Sequence, residues 1–172
     1  MIARILVLCI VLTGIVVGQP ASDHLRMTLN RGALEFPRAL NLPFSAVASQ
    51  APVLTITDER PAAAGYRLVL RWELSSANAA GASLETVPGV TLAHVSPGGV
   101  AGLPPVVETQ SGFLTPGGEL TILRADRSFS EQQGEGIWMV QINPNALRLR
   151  LPRGMPDGTY PGTIRLLLYP SP

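Results

Sequence analysis

The chain has 172 residues, of which 46% are apolar and only 15% are charged, so it is too hydrophobic for an intrinsically disordered protein. Its thirteen basic residues are all arginine and stand against twelve acidic ones, and they form no cluster of the kind that nucleic-acid-binding domains carry. The length suits one domain that can bury a core without disulfide or metal staples.

Residues 1–18 are predicted to be a secretory signal peptide. Arg4 supplies a positive start, and Ile5 to Val17 form an apolar run that is shorter than the roughly 20 residues of a membrane span. Cleavage is predicted after Gly18, with Ala21 as the alternative, and an uncleaved anchor is a third possibility. The expected location is therefore the extracellular cell surface, with no stable membrane span after cleavage.

The mature chain, residues 19–172, is predicted to be a single domain without disulfides. The chain's one cysteine, Cys9, lies inside the apolar run and would be removed with the leader. An exported domain without disulfides is more typical of a bacterial surface than of an animal extracellular module.

Period-two alternation dominates the first half of the mature chain. The stretches 24–30 (HLRMTLN) and 53–57 (VLTIT) are predicted strands rich in β-branched and aliphatic residues. In 66–74 (YRLVLRWEL) large apolar residues alternate with arginines, which indicates a half-buried strand. The stretch 75–83 is interpreted as a loop with at most one helical turn, and the longest loops are expected between residues 75 and 118.

The second half continues with strands at 119–125, 137–142 and 146–151, and the last is predicted between Pro161 and Pro170. This last strand is expected to pair inside its own domain. Short strands separated by Gly- and Pro-rich turns predict an all-β fold. We expect an antiparallel β-sandwich, immunoglobulin-like or related, with a barrel as the alternative. The predicted core includes Leu68, Leu70, Trp72, Leu147, Leu149, Ile164 and Leu166.

The search for catalytic or ligand-binding motifs favours a protein that is not an enzyme and has no cofactor. His24 and His94 have no metal-ligand spacing, and neither a nucleophile elbow nor a phosphate-binding loop is present. Asp58 and Glu59 point to opposite faces of a strand, so a turn-stabilising pair of Asp58 with Arg60 is preferred to a calcium site.

Three stretches resemble the WxL domain of bacterial cell-surface proteins. The first is LTITDERPAAAGYRLVL, the second is GEGIWMVQINPNALRLRLP, and the third is GTYPGTIRLLLYPSP. The first is similar to the family's strand, Asp-x-Arg turn, glycine and aromatic-x-Leu segment. The chain departs from the family at both signature tryptophans, since Tyr66-Arg67-Leu68 stands at the first Trp-x-Leu motif and the last strand has no tryptophan.

The resemblance implies a non-enzymatic β-rich domain that holds proteins noncovalently on the peptidoglycan of Gram-positive walls. The expected partners are a cell-wall polymer or other surface proteins. The binding residues that it implies are Asp58, Arg60, Tyr66, Leu68, Trp138 and Tyr160. An alternative function is a structural subunit of a surface fibre or assembly, joined by strand addition, with the HLRMTLN segment as a possible donor strand.

Overall fold

The computed structural model describes a set of segments that together carry most of the predicted strands. These segments are residues 9–11, 24–31, 33–35, 44–47, 52–60, 65–74, 81–86, 89–95, 103–108, 112–126, 133–143, 146–151 and 162–171. The predicted signal peptide lies outside them except for Cys9–Val11, and so do the alternative cleavage site at Ala21 and the implied binding residue Tyr160.

Strands make up nearly all of the described regular structure. They are β1 (Cys9–Val11), β2 (Leu25–Arg31), β3 (Ala33–Glu35), β4 (Phe44–Val47), β5 (Val53–Asp58), β6 (Tyr66–Leu74), β7 (Ser83–Thr86), β8 (Val90–His94), β9 (Val106–Val107), β10 (Gly112–Leu114), β11 (Glu119–Ala125), β12 (Gly136–Ile142), β13 (Leu147–Leu151) and β14 (Gly162–Pro170). None of the described residues forms a helix that is long and apolar enough to cross a membrane.

The strands form three sheets that share one core. The first has six strands in the order β3-β1-β14-β6-β11-β9, and the other two have four strands each, β10-β7-β13-β4 and β2-β5-β12-β8. Strand β1 belongs to the predicted signal peptide, so cleavage of the leader would remove it and leave β14 at the end of its sheet. The described pairings are antiparallel apart from that of β1 with β14. No described sheet closes on itself. The prediction of an all-β antiparallel sandwich is therefore confirmed in preference to the barrel.

The alternation that predicted the strands also places their side chains. On β6, for example, Leu68, Leu70 and Trp72 face inward and are fully buried, whereas Arg67, directly before Leu68, is exposed. All seven predicted core residues are buried, and they share a single cluster with residues of all three sheets. The phase of the alternating strands was therefore predicted correctly.

The last strand, β14, pairs with β6 over its whole length. The register runs from Gly162 opposite Leu74 to Pro170 opposite Tyr66, which confirms the predicted pairing inside the domain. Leu167 points away from the core, yet it is buried, and so is Val69 directly opposite it on β6. Both faces of this strand pair are thus covered near the middle of the sheet.

The described strands bear on two expectations about the chain's organisation. The region from 75 to 118, expected to hold the longest loops, contains four short strands, β7 to β10. The segment HLRMTLN, named above as a possible donor strand, is largely β2, which pairs with β5 of its own chain. A donor role for this segment would require it to leave that pairing, and the alternative function of strand addition stays a prediction.

Replacing Leu149 by Ala is expected to lower the free energy of unfolding by about 2–5 kcal/mol, because the side chain is fully buried between neighbours that cannot collapse completely into the cavity. Replacing the adjacent, exposed Arg148 by Ala should cost much less. Urea unfolding of both variants measures the difference. Equal losses would show that the assigned phase of β13 is wrong.

Candidate functional site

A buried ion pair closes the turn after β5. Nε of Arg60 lies 2.8 Å from Oδ1 of Asp58, and Nη2 lies 2.9 Å from Oδ2. The backbone N–H of Arg60 also donates to Oδ1. Asp58 is fully buried and Arg60 is only 9% exposed. The predicted turn-stabilising pair is therefore confirmed, with the fork-like geometry in which guanidinium and carboxylate bind most strongly.

The same guanidinium connects this turn to the start of β6. Nη2 of Arg60 donates to the carbonyl oxygen of Gly65 over 2.9 Å, and the backbone N–H of Ser171, just after β14, donates to the same oxygen over 2.9 Å. A Cβ atom on Gly65 would lie 2.1 Å from the carbonyl oxygen of Ala125, so only glycine allows β11 to approach this closely.

The turn before β12 completes the arrangement. The hydroxyl of Tyr66, which is fully buried, donates to the carbonyl oxygen of Gly134 over 3.4 Å. Gly134 has a φ of +74°, and a Cβ there would meet both Ala125 and the tyrosine ring. We call Asp58, Arg60, Gly65, Tyr66, Gly134 and Ser171 the clasp. It joins the ends of β5, β6, β12 and β14 at one place in the interior.

Trp138 lies in the interior as well. Its side chain is 5% exposed, its Nε1–H donates to the carbonyl oxygen of Glu135 over 2.9 Å, and its ring lies 4.8 Å from that of His94. A Gly-rich turn precedes it, as is common near the rim of a sheet. It nevertheless takes an inward position on β12, a strand flanked by β5 and β8.

The binding residues that the resemblance implies are thus internal where the structure describes them. Asp58, Arg60, Tyr66, Leu68 and Trp138 are all buried, and three of them belong to the clasp. Their contacts stabilise the fold, and a direct role in ligand binding stays a prediction. His24 and His94 lie on the two outermost strands of one sheet or next to them, and the described residues contain no cluster that could hold a metal ion.

An exposed aromatic residue that the sequence reasoning missed lies on the outer face of the sheet β10-β7-β13-β4. Phe113 is 62% exposed, and the guanidinium carbon of Arg150 lies 5.1 Å from the centre of its ring. Arg150 is held by Glu85, with Nη2 and Nε at 2.8 and 3.0 Å from Oε2. We call Phe113, Arg150 and Glu85 the Phe113 patch. Phe113 points outward because it precedes the inward-facing Leu114, and β10 is too short for its sequence to show this alternation.

The outer face of the six-stranded sheet has a different character. Two of its arginines are paired with glutamates: Arg71 lies 3.1 Å from Glu73 and 3.6 Å from Glu119, and Arg165 lies 3.2 Å from Glu73. These groups are partly exposed, so the pairs contribute little to stability. Around these four residues the charges neutralise one another, whereas Arg67 on the same face lies over the ring of Tyr169.

Comparisons with protein-family models, with curated proteins and with solved structures find no match to this chain.

Proposed function

We propose that this chain is a secreted, non-enzymatic cell-surface domain that associates noncovalently with the cell wall. The observation that supports it is the clasp, because each of the three stretches that resemble the WxL domain contributes to it. Asp58, Arg60, Gly65 and Tyr66 come from the first stretch, Gly134 opens the second, and Ser171 belongs to the third.

This convergence supports the resemblance because the three stretches are far apart in the chain. Tyr66 and Gly134, for example, are separated by 68 positions and meet through a hydrogen bond. Chance likenesses would have no reason to share contacts in the folded chain. All members of the clasp except the partly exposed Ser171 are buried, so its proposed part in function is to hold the strand ends in place, while binding belongs to an exposed surface.

The Phe113 patch is the exposed surface that we assign to the wall polymer. An exposed aromatic ring can pack against the apolar face of a sugar ring, as aromatic side chains do at wet interfaces. The ion pair with Glu85 uses Nε and Nη2 of Arg150, which leaves Nη1 for another acceptor such as a carboxylate of the wall peptide. Peptidoglycan carries both groups, sugars and carboxylates.

Replacing Phe113 by Ala should weaken binding to insoluble peptidoglycan from a Gram-positive bacterium about tenfold, the effect of losing a contact of about 1.4 kcal/mol. Co-sedimentation over a range of protein concentrations measures the affinity. Leu103→Ala is the matched control, because Leu103 is also a large exposed apolar residue, at 53%, and lies outside the patch.

Both variants should keep the circular dichroism spectrum and melting temperature of the parent protein, since each alters an exposed side chain. Unchanged binding by Phe113→Ala would contradict the assignment of the patch. If the parent protein failed to sediment with peptidoglycan above the level of serum albumin, the proposed ligand itself would be wrong.

A further inference from the structure

Strand β8 is an outermost strand, and its edge lacks the protective features that the other outermost strands of the three described sheets have. Outermost strands present unpaired backbone groups, and proteins usually protect them with charges, prolines, bulges or short length. Strand β2, the longest outermost strand, carries Arg26 and Arg31, and its register with β5 shifts between Leu29 and Arg31.

The remaining outermost strands are short or begin next to proline, and so does β14, which becomes outermost if the leader is cleaved: it follows Pro161 directly and carries Arg165. Strands β3 and β10 have three residues each, and β9 has two residues that follow Pro104 and Pro105. Strand β4 has four residues and follows Pro43 directly. By contrast, β8 has five residues, contains no Asp, Glu, Lys, Arg or Pro, and keeps an unbroken register with β12.

The hydrogen bonds to β12 show which backbone groups of β8 point outward. The N–H of Val95 donates to the carbonyl of Ile137 over 2.8 Å, and that of Asn143 donates to Gly89 over 2.7 Å. Because hydrogen-bonded positions alternate along an antiparallel pair, the odd-numbered residues of β8 bond to β12. The backbone groups of Val90, Leu92 and His94 therefore point away, and no described strand pairs with them.

We propose that two copies of this chain pair antiparallel through β8, about a twofold axis at Leu92. Leu92 then lies opposite Leu92 of the second copy, and Val90 lies opposite His94. These are the outward-pointing positions, so the pairs exchange about six hydrogen bonds in all. The pairing joins two four-stranded sheets into one continuous sheet and leaves neither β8 as an edge.

A second copy fits this edge because the segment is complementary to itself. It carries no Asp, Glu, Lys or Arg, and its histidine lies opposite Val90 of the second copy, so no like charges face each other across the axis. Val90 and Leu92 are only partly buried and pack against the core. Opposite residues of an antiparallel pair share a face, so these side chains of both copies continue one apolar layer across the axis. The inference is independent of the proposed function.

Sedimentation equilibrium of the exported protein tests the pairing. We expect the parent protein to form a dimer. The dissociation constant of that dimer should rise at least tenfold in Leu92→Pro, because proline removes the outward N–H that only the dimer uses. Leu92→Ala is the matched control: it loses similar packing but keeps the N–H, so it should dimerise more tightly than the proline variant. Circular dichroism checks that both variants fold.

Charged residues introduced at Thr91 test the pairing without altering the core. Thr91 is exposed, and the two copies of it are diagonal neighbours across the axis, about 7–8 Å apart. Thr91→Lys and Thr91→Glu should each raise the dissociation constant of the dimer about threefold or more at low salt, because like charges then face each other. Mixing the two variants should restore the dimer, because opposite charges then face each other. Thr28→Lys, on β2 of the same sheet, should have no effect.

Three results would overturn the proposal. One is a parent protein that stays monomeric up to about 100 μM, which puts any dimer below useful affinity. Another is a Leu92→Pro variant that folds and dimerises like Leu92→Ala. The third is a mixture of the two Thr91 variants that forms no more dimer than either variant alone.

Discussion

A chain that ends at Gly162 is expected not to fold. The deletion of residues 163–172 removes three fully or almost fully buried core side chains, Ile164, Leu166 and Leu168. Truncating one such residue to alanine already costs about 2–5 kcal/mol, so the loss of all three matches or exceeds the 5–15 kcal/mol of a typical domain.

The deletion also removes backbone contacts that no other part of the described sheet replaces. Strand β6 pairs with β14 along nine residues, and without it β6 becomes an exposed edge. The hydrogen bond from Ser171 to Gly65 is lost as well, which takes one member out of the clasp. The truncated chain should therefore expose apolar strands and aggregate.

Expression of the truncated chain, followed by circular dichroism and a thermal melt, measures this effect. A chain that lacks Pro172 alone serves as the control and should melt like the parent protein. A truncated chain that is soluble and melts cooperatively would contradict the placement of β14 in the core. It would also favour the alternative in which this segment serves as a donor strand between molecules.

Replacing Asp58 by Ala is expected to lower the free energy of unfolding by about 3–5 kcal/mol. The change leaves the buried guanidinium of Arg60 without its carboxylate, and an uncompensated buried charge is costly. Arg60→Ala should have an effect of the same size, because it leaves a fully buried carboxylate behind. The double variant should lose less than the sum of the two single losses, since neither charge is then left alone.

An exposed ion pair provides the comparison for this prediction. Glu85→Ala removes the partner of Arg150, whose side chain is 52% exposed, and should cost at most about 1 kcal/mol. Urea unfolding curves of the four variants give the free energies. If Asp58→Ala cost no more than Glu85→Ala, or if the two single losses were simply additive, the clasp would not contain a coupled buried pair.

The parts of the fold that could be predicted are those with one buried face and strict alternation. In β6 and β13 every second residue is a large apolar one, so both the strand and its phase follow from period two. Strands β7 to β10 were missed because they are short, and because the side chains of β8 are partly buried or exposed without alternation. Which strands are neighbours depends on long-range packing and is not a property of any one segment.

The candidate site shows the same division between local and long-range features. The pairing of Asp58 with Arg60 is local, and their spacing of two residues was enough to predict it. The hydrogen bonds from Ser171 to Gly65 and from Tyr66 to Gly134 required knowledge of how β12 and β14 pack. The burial of Trp138 likewise depends on the flanking strands β5 and β8, which the Gly-rich turn before it does not reveal.

Fractionation of cells that produce the protein tests the proposed wall association most directly. We expect the protein in the wall fraction, stable to washing with buffer and released by a concentrated chaotropic salt, with an intact mass that lacks residues 1–18 or 1–21. Release by salt would mean that the attachment is noncovalent, and the mass would mean that the leader is cleaved. A protein found only in the cytosol, or held in the membrane with Met1 and Cys9 still present, would contradict the account.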